Sequence, residues 1–311
     1  MLVSPKTLFN HCYGKYGIAA VNVFTMEQVI GLFSAGQKAN APFIVQMTPV
    51  ARNYATPEML QAMIEAAAKL YPNAIFATHL DHGVEEHAFH AIESGHYSSV
   101  MIDASHDSFE SNVLRTSKVV ASAHKMGVFV ESELGVLSGV EDNLSVDGEG
   151  NYTRPSEVEE FVKRTGCDSL AVAVGTSHGA YKFSGDHGIQ FDILKEIQNR
   201  IPEFPIVLHG GSAVNYDEIV RINKAGGQLV GAKGIDPGEL QRTFQYGVCK
   251  VNIATDLRLI WTRVHREFFS DTPELFDPVI PGETYIDEVE KFMLEKFELL
   301  GAVGKAPACK E

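Results

Sequence analysis

Short apolar, β-branched runs recur along the chain. Each is followed by a polar or glycine-rich stretch and then by a segment with helical spacing. Eight of these runs predict strands: AAVNVF (19–24), FIVQM (43–47), AIFATHL (74–80), SVMIDA (99–104), VFVESEL (128–134), SLAVAV (169–174), IVLHG (206–210) and KVNIAT (250–255). Between them lie amphipathic or alanine-rich helical patterns such as TPEMLQAMIEAAAKL, EEHAFHAIESG, SNVLRTSKVVASAHKMG and PSEVEEFVKRTG. Pro57 and Pro155 sit where a first helical turn tolerates proline, and Gly95, Gly127 and Gly166 sit where helices stop.

Strands that are apolar nearly throughout must be covered on both faces, as in parallel sheets. Eight strand–helix units of about 30 residues match a (β/α)8 barrel, whose usual length is roughly 250 residues before extensions. A doubly wound open sheet would place a glycine-rich phosphate fingerprint after its first strand. Here that strand runs into NVFTMEQ, which favours the barrel. A single α/β barrel domain over residues 1–311 is therefore expected. The acidic, Gly/Asn/Ser-rich insert at about 135–155 reads as a mobile loop, because loops this long are often lids or binding loops. The chain from about 257 to 311 reads as a helical C-terminal extension of two helices with FDPVIPG as the turn.

Composition narrows the class. The 311 residues carry 40 Asp+Glu against 26 Lys+Arg, a formal net charge of −14, which argues against a nucleic-acid binder needing a basic face. A small anionic ligand is not excluded, since local donors set the field inside a cleft. Cys12, Cys167, Cys249 and Cys309 are far apart and read as reduced, buried thiols, so a cytoplasmic location is expected. The N-terminus lacks a signal pattern, and no run of about 18 apolar residues predicts a membrane span.

In such a barrel the chemistry lies at the C-terminal ends of the strands. Reading those ends in order gives Asn22, then Gln46 to Thr48, then His79-Leu80-Asp81-His82-Gly83, then Asp103 to His106. Glu131-Ser132-Glu133, Gly175 to Gly179, His209 to Ser212 and Asn252 to Asp256 follow. His82, His178 and His209 come from three different ends. Converging imidazoles would leave an open coordination position, the form of a catalytic rather than a closed structural zinc site. Nitrogen and oxygen ligands suit Zn²⁺, and Co²⁺, Mn²⁺ or Fe²⁺ would also fit. Asp103 and Glu133 either bind a second metal position or hold the histidines. Asp81, directly before a candidate ligand, is placed to shuttle a proton or to orient a histidine. Gly210, Gly211 and Ser212 form a turn suited to phosphate, with Asn252 and Thr255 able to complete the cradle.

These motifs together resemble the class II, zinc-dependent ketose-bisphosphate aldolases. The fructose-1,6-bisphosphate members are the nearest and the tagatose-1,6-bisphosphate members the next. The resemblance runs through NVFT, QMTPVARNYA, HLDHG, SVMIDASHDSFESN, ESELGVLSGVEDN, VGTSHGAYKF, LHGGSAV and KVNIATDLRL, nearly the whole chain. It implies reversible cleavage of fructose 1,6-bisphosphate to dihydroxyacetone phosphate and glyceraldehyde 3-phosphate. His82, His178 and His209 would hold Zn²⁺, with Asp103 and Glu133 at a second, displaced divalent site. A monovalent cation and a homodimer or higher homo-oligomer are further implications. Asp81 would be the acid/base at the C4 oxygen, and Glu141, beside Asp142 on the loop, would move the proton at C3. Gly179, Lys182, the Gly210–Ser212 turn and the stretch Asn252, Ile253, Ala254, Thr255 match the cradle for the triose-phosphate end. Asn22, Thr48, Asp256 and Arg258 match further substrate contacts, Arg258 at the second phosphate.

One residue departs from the fructose pattern: many of those enzymes carry aspartate where this chain has Ala254, and the tagatose enzymes carry alanine there too, which leaves the C4 epimer open. The competing lysine Schiff-base chemistry finds no lysine in SLAVAVG, and Lys250 is expected at the wrong end of its strand. A metallohydrolase barrel would carry an HxH pair where this chain has NVF. A non-catalytic sugar-phosphate-binding barrel is the remaining alternative.

Overall fold

The computed structural model describes residues 1–141, 144–146, 152–179, 188–231 and 234–310, with backbone alone at 138–141, 144–146, 178 and 310. The strands in chain order are β1 (Ile18–Asn22), β2 (Phe43–Met47), β3 (Phe76–Gly83), β4 (Ser99–Ile102) and β5 (Phe129–Leu134). Then come β6 (Ser138–Glu141), β7 (Leu144–Val146), β8 (Ser169–Val172), β9 (Ser177–His178), β10 (Ile206–Leu208) and β11 (Val248–Ile253). Eight of them close into a barrel in the order β1-β11-β10-β8-β5-β4-β3-β2, every pair parallel. The expected (β/α)8 architecture is the observed one. The third strand runs three residues further than expected, to Gly83, and the first, fourth, sixth, seventh and eighth stop two residues sooner.

The helices α1 (Pro5–Cys12), α2 (Met26–Ala39), α3 (Pro49–Ala55), α4 (Pro57–Leu70), α5 (Glu85–Ser94) and α6 (Phe109–Lys125) cover the first half. The second half carries α7 (Pro155–Thr165), α8 (Phe191–Arg200), α9 (Tyr216–Lys224), α10 (Pro237–Thr243), α11 (Thr255–Asp271) and α12 (Val279–Leu299). Proline opens α4 and α7 as expected, and Gly95 and Gly166 end α5 and α7 at φ 71° and 70°. Helix α12 starts inside the expected turn, because Pro281 falls in its first turn, where a missing N–H costs nothing.

The 135–155 segment holds more structure than a plain loop. Its strands β6 and β7 form an antiparallel hairpin, and β6 pairs in parallel with β9, Gly139 opposite His178. A three-stranded sheet outside the barrel thus ties this segment to the stretch after β8.

All four cysteines are buried and free, as expected. Among the buried ions, Arg263 of α11 is 2 % exposed and meets Glu218 of α9 at 2.6 Å, Glu288 of α12 at 2.5 Å and Glu267 at 3.3 Å. Replacing it leaves three carboxylates facing one another, although each still reaches some water. Arg263→Met is therefore expected to cost about 2–3 kcal/mol, below the range for a fully buried pair. A urea titration should show a lower midpoint at unchanged slope, and a wild-type midpoint contradicts this.

Candidate metal centre and active site

Strand alternation points His79 and Asp81 into the barrel and would turn His82 out of it. The register between β3 and β4 shifts between Leu80 and Gly83, and His82 takes φ 47°, the left-handed region. A bulge of this kind re-aims a side chain at the cost of local strain. Here it brings His82 back to the mouth beside its neighbour Asp81. The His82 and His209 rings meet edge-on with centroids 4.6 Å apart. Asp81, His82 and His209 each offer a ligand-type atom, all within 4.8 Å of one another. Two imidazoles and a carboxylate at that spacing fit a divalent cation.

Each imidazole is oriented by a carboxylate. His82 Nδ1 lies 2.9 Å from Asp103 Oδ2. Burial pushes the Asp103 carboxyl up, but hydrogen bonds from His82 and from Ser105 outweigh it and hold the group well below the usual carboxylate range. An ionised carboxylate only accepts, so His82 Nδ1 donates, and in the neutral imidazole Nε2 then carries the lone pair. His209 Nε2 lies 3.0 Å from Glu131 Oε1, and Nδ1 lies 3.5 Å from Glu133 Oε2. His82, Asp103 and Glu133 form another group whose ligand-type atoms lie within 4.8 Å.

Asp81 is fully buried and gripped by three amides. Asn22 and Gln46 donate to Oδ2 at 3.0 and 3.2 Å, and Asn252 donates to Oδ1 at 3.0 Å. Asn22 and Asn252, expected as substrate contacts, thus spend their amide nitrogens on Asp81. Lys250 corrects an expectation. It is not at a far end, because its ammonium reaches Glu131 at 2.8 Å and comes within 3.9 Å of Asp81 Oδ1. His79 stacks into the same layer, with Nε2 3.2 Å from Lys250 Nζ. Burial, and then the Lys250 charge, hold the His79 imidazole well below its ordinary range.

The turn after β10 is built for close approach. Gly210 has φ 65°, and a Cβ on it would run into the Ser177 carbonyl; one on Gly211 would meet Val251 and Asn252. The Ser212 hydroxyl accepts from Ala254 N–H at 3.4 Å. Asp256 stands behind the turn: its buried carboxylate accepts from Ala213 and Val214 N–H at 3.0 and 2.8 Å and lies 3.7 Å from Lys296 Nζ. It braces the turn, where a substrate contact was expected. Ile253 ends β11, Ala254 precedes α11 and Thr255 opens that helix, whose N-terminus lies by the turn. Thr48 is buried and caps α3 by accepting from Ala51 N–H at 3.3 Å. Arg258 lies over the Phe24 ring, 4.9 Å from its centroid. Gly179 takes φ 78° just after β9. Lys182 and Asp142 lie outside the described residues, as do the side chains of His178 and Glu141.

Sequence reasoning passed over Gln46, Glu131 and Lys250 as functional residues. Parity carried the signal: Glu131 shares a face with Glu133, as Lys250 does with Asn252 and His79 with Asp81.

A parallel barrel whose C-terminal rim gathers imidazoles and carboxylates around one point is the frame of a metal-dependent barrel enzyme. The family profile described as fructose-bisphosphate aldolase class-II matches residues 3–305. The chain is 40 % identical to the fructose-bisphosphate aldolase of Helicobacter pylori (strain J99), covering 93 % of this chain and 94 % of that protein. To the Thermus caldophilus fructose-bisphosphate aldolase it is 39 % identical, over 94 % and 95 %. The crystal structure of the YdjI aldolase from Escherichia coli K12 superposes with a TM-score of 0.77 at 27 % identity, covering 98 % of this chain and all of that one. The chain belongs to the class II fructose-bisphosphate aldolase family, a family of lyases that employ a divalent metal.

The glycine geometry yields a paired prediction. Gly210→Ala meets both a positive φ and the Ser177 carbonyl, whereas Gly95→Ala, at φ 71°, has nothing within 4 Å. The first should cost roughly 2–3 kcal/mol and impair metal retention by displacing His209, and the second about 1 kcal/mol with metal retention intact. Equal losses in denaturation and metal-content measurements contradict the account.

Proposed function

We propose that this protein cleaves fructose 1,6-bisphosphate reversibly to dihydroxyacetone phosphate and glyceraldehyde 3-phosphate, with Zn²⁺ held by His82, His178 and His209. The observation that carries the reading is the Asp81 carboxylate, buried between three amide donors and with its ligand-type atom within 4.8 Å of those of His82 and His209. Cleaving C3–C4 requires a base for the C4 hydroxyl proton and a place for the electron pair left on C3. Asp81 takes the proton, C4 becomes the aldehyde carbon, and the pair stays on the three-carbon fragment. Zn²⁺, when bound, supplies a Lewis acid that stabilises that negative charge. Glu141, on the hairpin paired with the His178 segment, returns a proton at C3.

The Gly210–Ser212 turn and the N-terminus of α11, with Asn252, Ile253, Ala254 and Thr255, cradle one phosphate, joined by Gly179 and Lys182. Arg258 takes the other, and Asn22 and Thr48 border the sugar. Asp256 acts by holding the turn's N–H groups in place. Asp103 and Glu133, grouped with His82, form a displaced divalent position. A monovalent cation belongs to the same reading. Buried free thiols support a cytoplasmic location. Exposed Trp261, Phe269 and Phe276 support a homodimer or larger assembly.

Ala254 favours a second reading, tagatose 1,6-bisphosphate as substrate, because its methyl group offers no hydrogen bond to a sugar hydroxyl. Comparing kcat/KM on the two bisphosphates, with Ala254→Asp alongside, separates the readings. For the main reading, exhaustive chelation should abolish triose-phosphate release and Zn²⁺ should restore it. Asp81→Asn should keep substrate binding while kcat falls by about 10²–10⁴-fold. Turnover that survives chelation, or wild-type turnover in the variant, refutes it.

A further inference from the structure

His79, Asp81 and Glu131 bring three ligand-type atoms within 4.8 Å of one another, the pattern of a cation site below the first. An ammonium takes that place. Lys250 Nζ lies 2.8 and 3.0 Å from the two Glu131 oxygens and 3.2 Å from His79 Nε2. We propose that Lys250 is a positioning residue for the metal centre: it fixes Glu131, and through Glu131 the ring of His209, so that Nδ1 faces the metal. This rests on the reading above that His209 is a ligand.

The hydrogen bonds leave little freedom. Lysine has three protons, and Glu131 and His79 provide acceptors for all of them. His79 then donates from Nδ1 to Ser99 Oγ at 2.8 Å, and Ser99 donates to the Thr78 carbonyl at 3.2 Å. Lys250, His79, Ser99, Glu131 and His209 are each at most 2 % exposed, out of reach of bulk solvent. Glu131, with the ammonium on both oxygens, is acceptor-only toward His209 Nε2–H at 3.0 Å. Glu133 Oε2 faces the other ring nitrogen at 3.5 Å, so the shorter Glu131 contact takes the proton and the imidazole is held in the tautomer whose lone pair is on Nδ1. Without Lys250, the Glu131 carboxylate loses its counter-charge a few ångströms from the metal centre, turns toward it, and no longer orients His209.

Such outer partners are worth about 10–100-fold in metal affinity. The test titrates Zn²⁺ against a competing chelator in the apoprotein, with folding checked by circular dichroism. Lys250→Met is expected to weaken Zn²⁺ binding about 10–100-fold. The double variant Glu131→Leu/Lys250→Met, which removes both buried charges and so protects the fold, should show the same loss. Glu131→Gln/Lys250→Met, which keeps an acceptor for His209 without a charge, should regain most of the affinity. A lysine that only stabilises the barrel would lower the denaturation midpoint and leave these affinities level. Wild-type affinity in folded Lys250→Met, or in the Glu131→Leu double variant if the single one does not fold, overturns the proposal. His209→Ala serves as the control: if it binds Zn²⁺ like wild type, the ligand assignment fails instead.

Discussion

Deep in a closed parallel barrel, water cannot reach the lower layers of side chains, so a charge there must be held by another charge. Lys250 and Glu131 meet at 2.8 Å under that constraint, each almost fully buried. The upper layer stands on this pair. Glu131 orients His209, Asp103 orients His82, and Asp81 lies above Lys250 between three amides. The charged members of this layer are held by short hydrogen bonds out of reach of solvent, and that makes it rigid. Rigidity is what a site for metal-assisted carbon–carbon cleavage needs: a ring that drifts costs affinity, and a carboxylate that drifts loses its proton target.

Two departures from regular structure complete the mouth. The bulge in β3 lets consecutive residues, Asp81 and His82, face the same space, which strand alternation forbids. The turn after β10 packs glycine backbone against Ser177, and Asp256 holds its N–H groups from behind. Both features spend local stability to place groups that the barrel alone would point elsewhere.

Most of the architecture was legible in the sequence, because buried parallel strands read as apolar runs and their terminal motifs, HLDHG and LHGGS, stand out. Strand limits shifted where hydrogen bonding rather than hydrophobicity decides, as at Gly83. The β6–β7 hairpin was read as a loop because a short strand outside the core has no apolar signature. The candidate ligands were readable from their position at strand ends. The lower layer was not: Lys250 looked misplaced, since strand position gives the height of a Cα and a lysine side chain reaches well beyond it. Asp256 was read toward substrate because its motif lies at the rim, although its carboxylate turns to the backbone of the neighbouring turn.

Buried carboxylates set the imidazole tautomers around one divalent ion. Nitrogen-15 correlation spectra of the histidine rings in the apoprotein, followed through addition of Zn²⁺, measure this directly. His82 is expected to be protonated at Nδ1 and His209 at Nε2 before metal, with Zn²⁺ shifting His82 Nε2 and His209 Nδ1. The opposite tautomers, or shifts at the carboxylate-facing nitrogens, would contradict it.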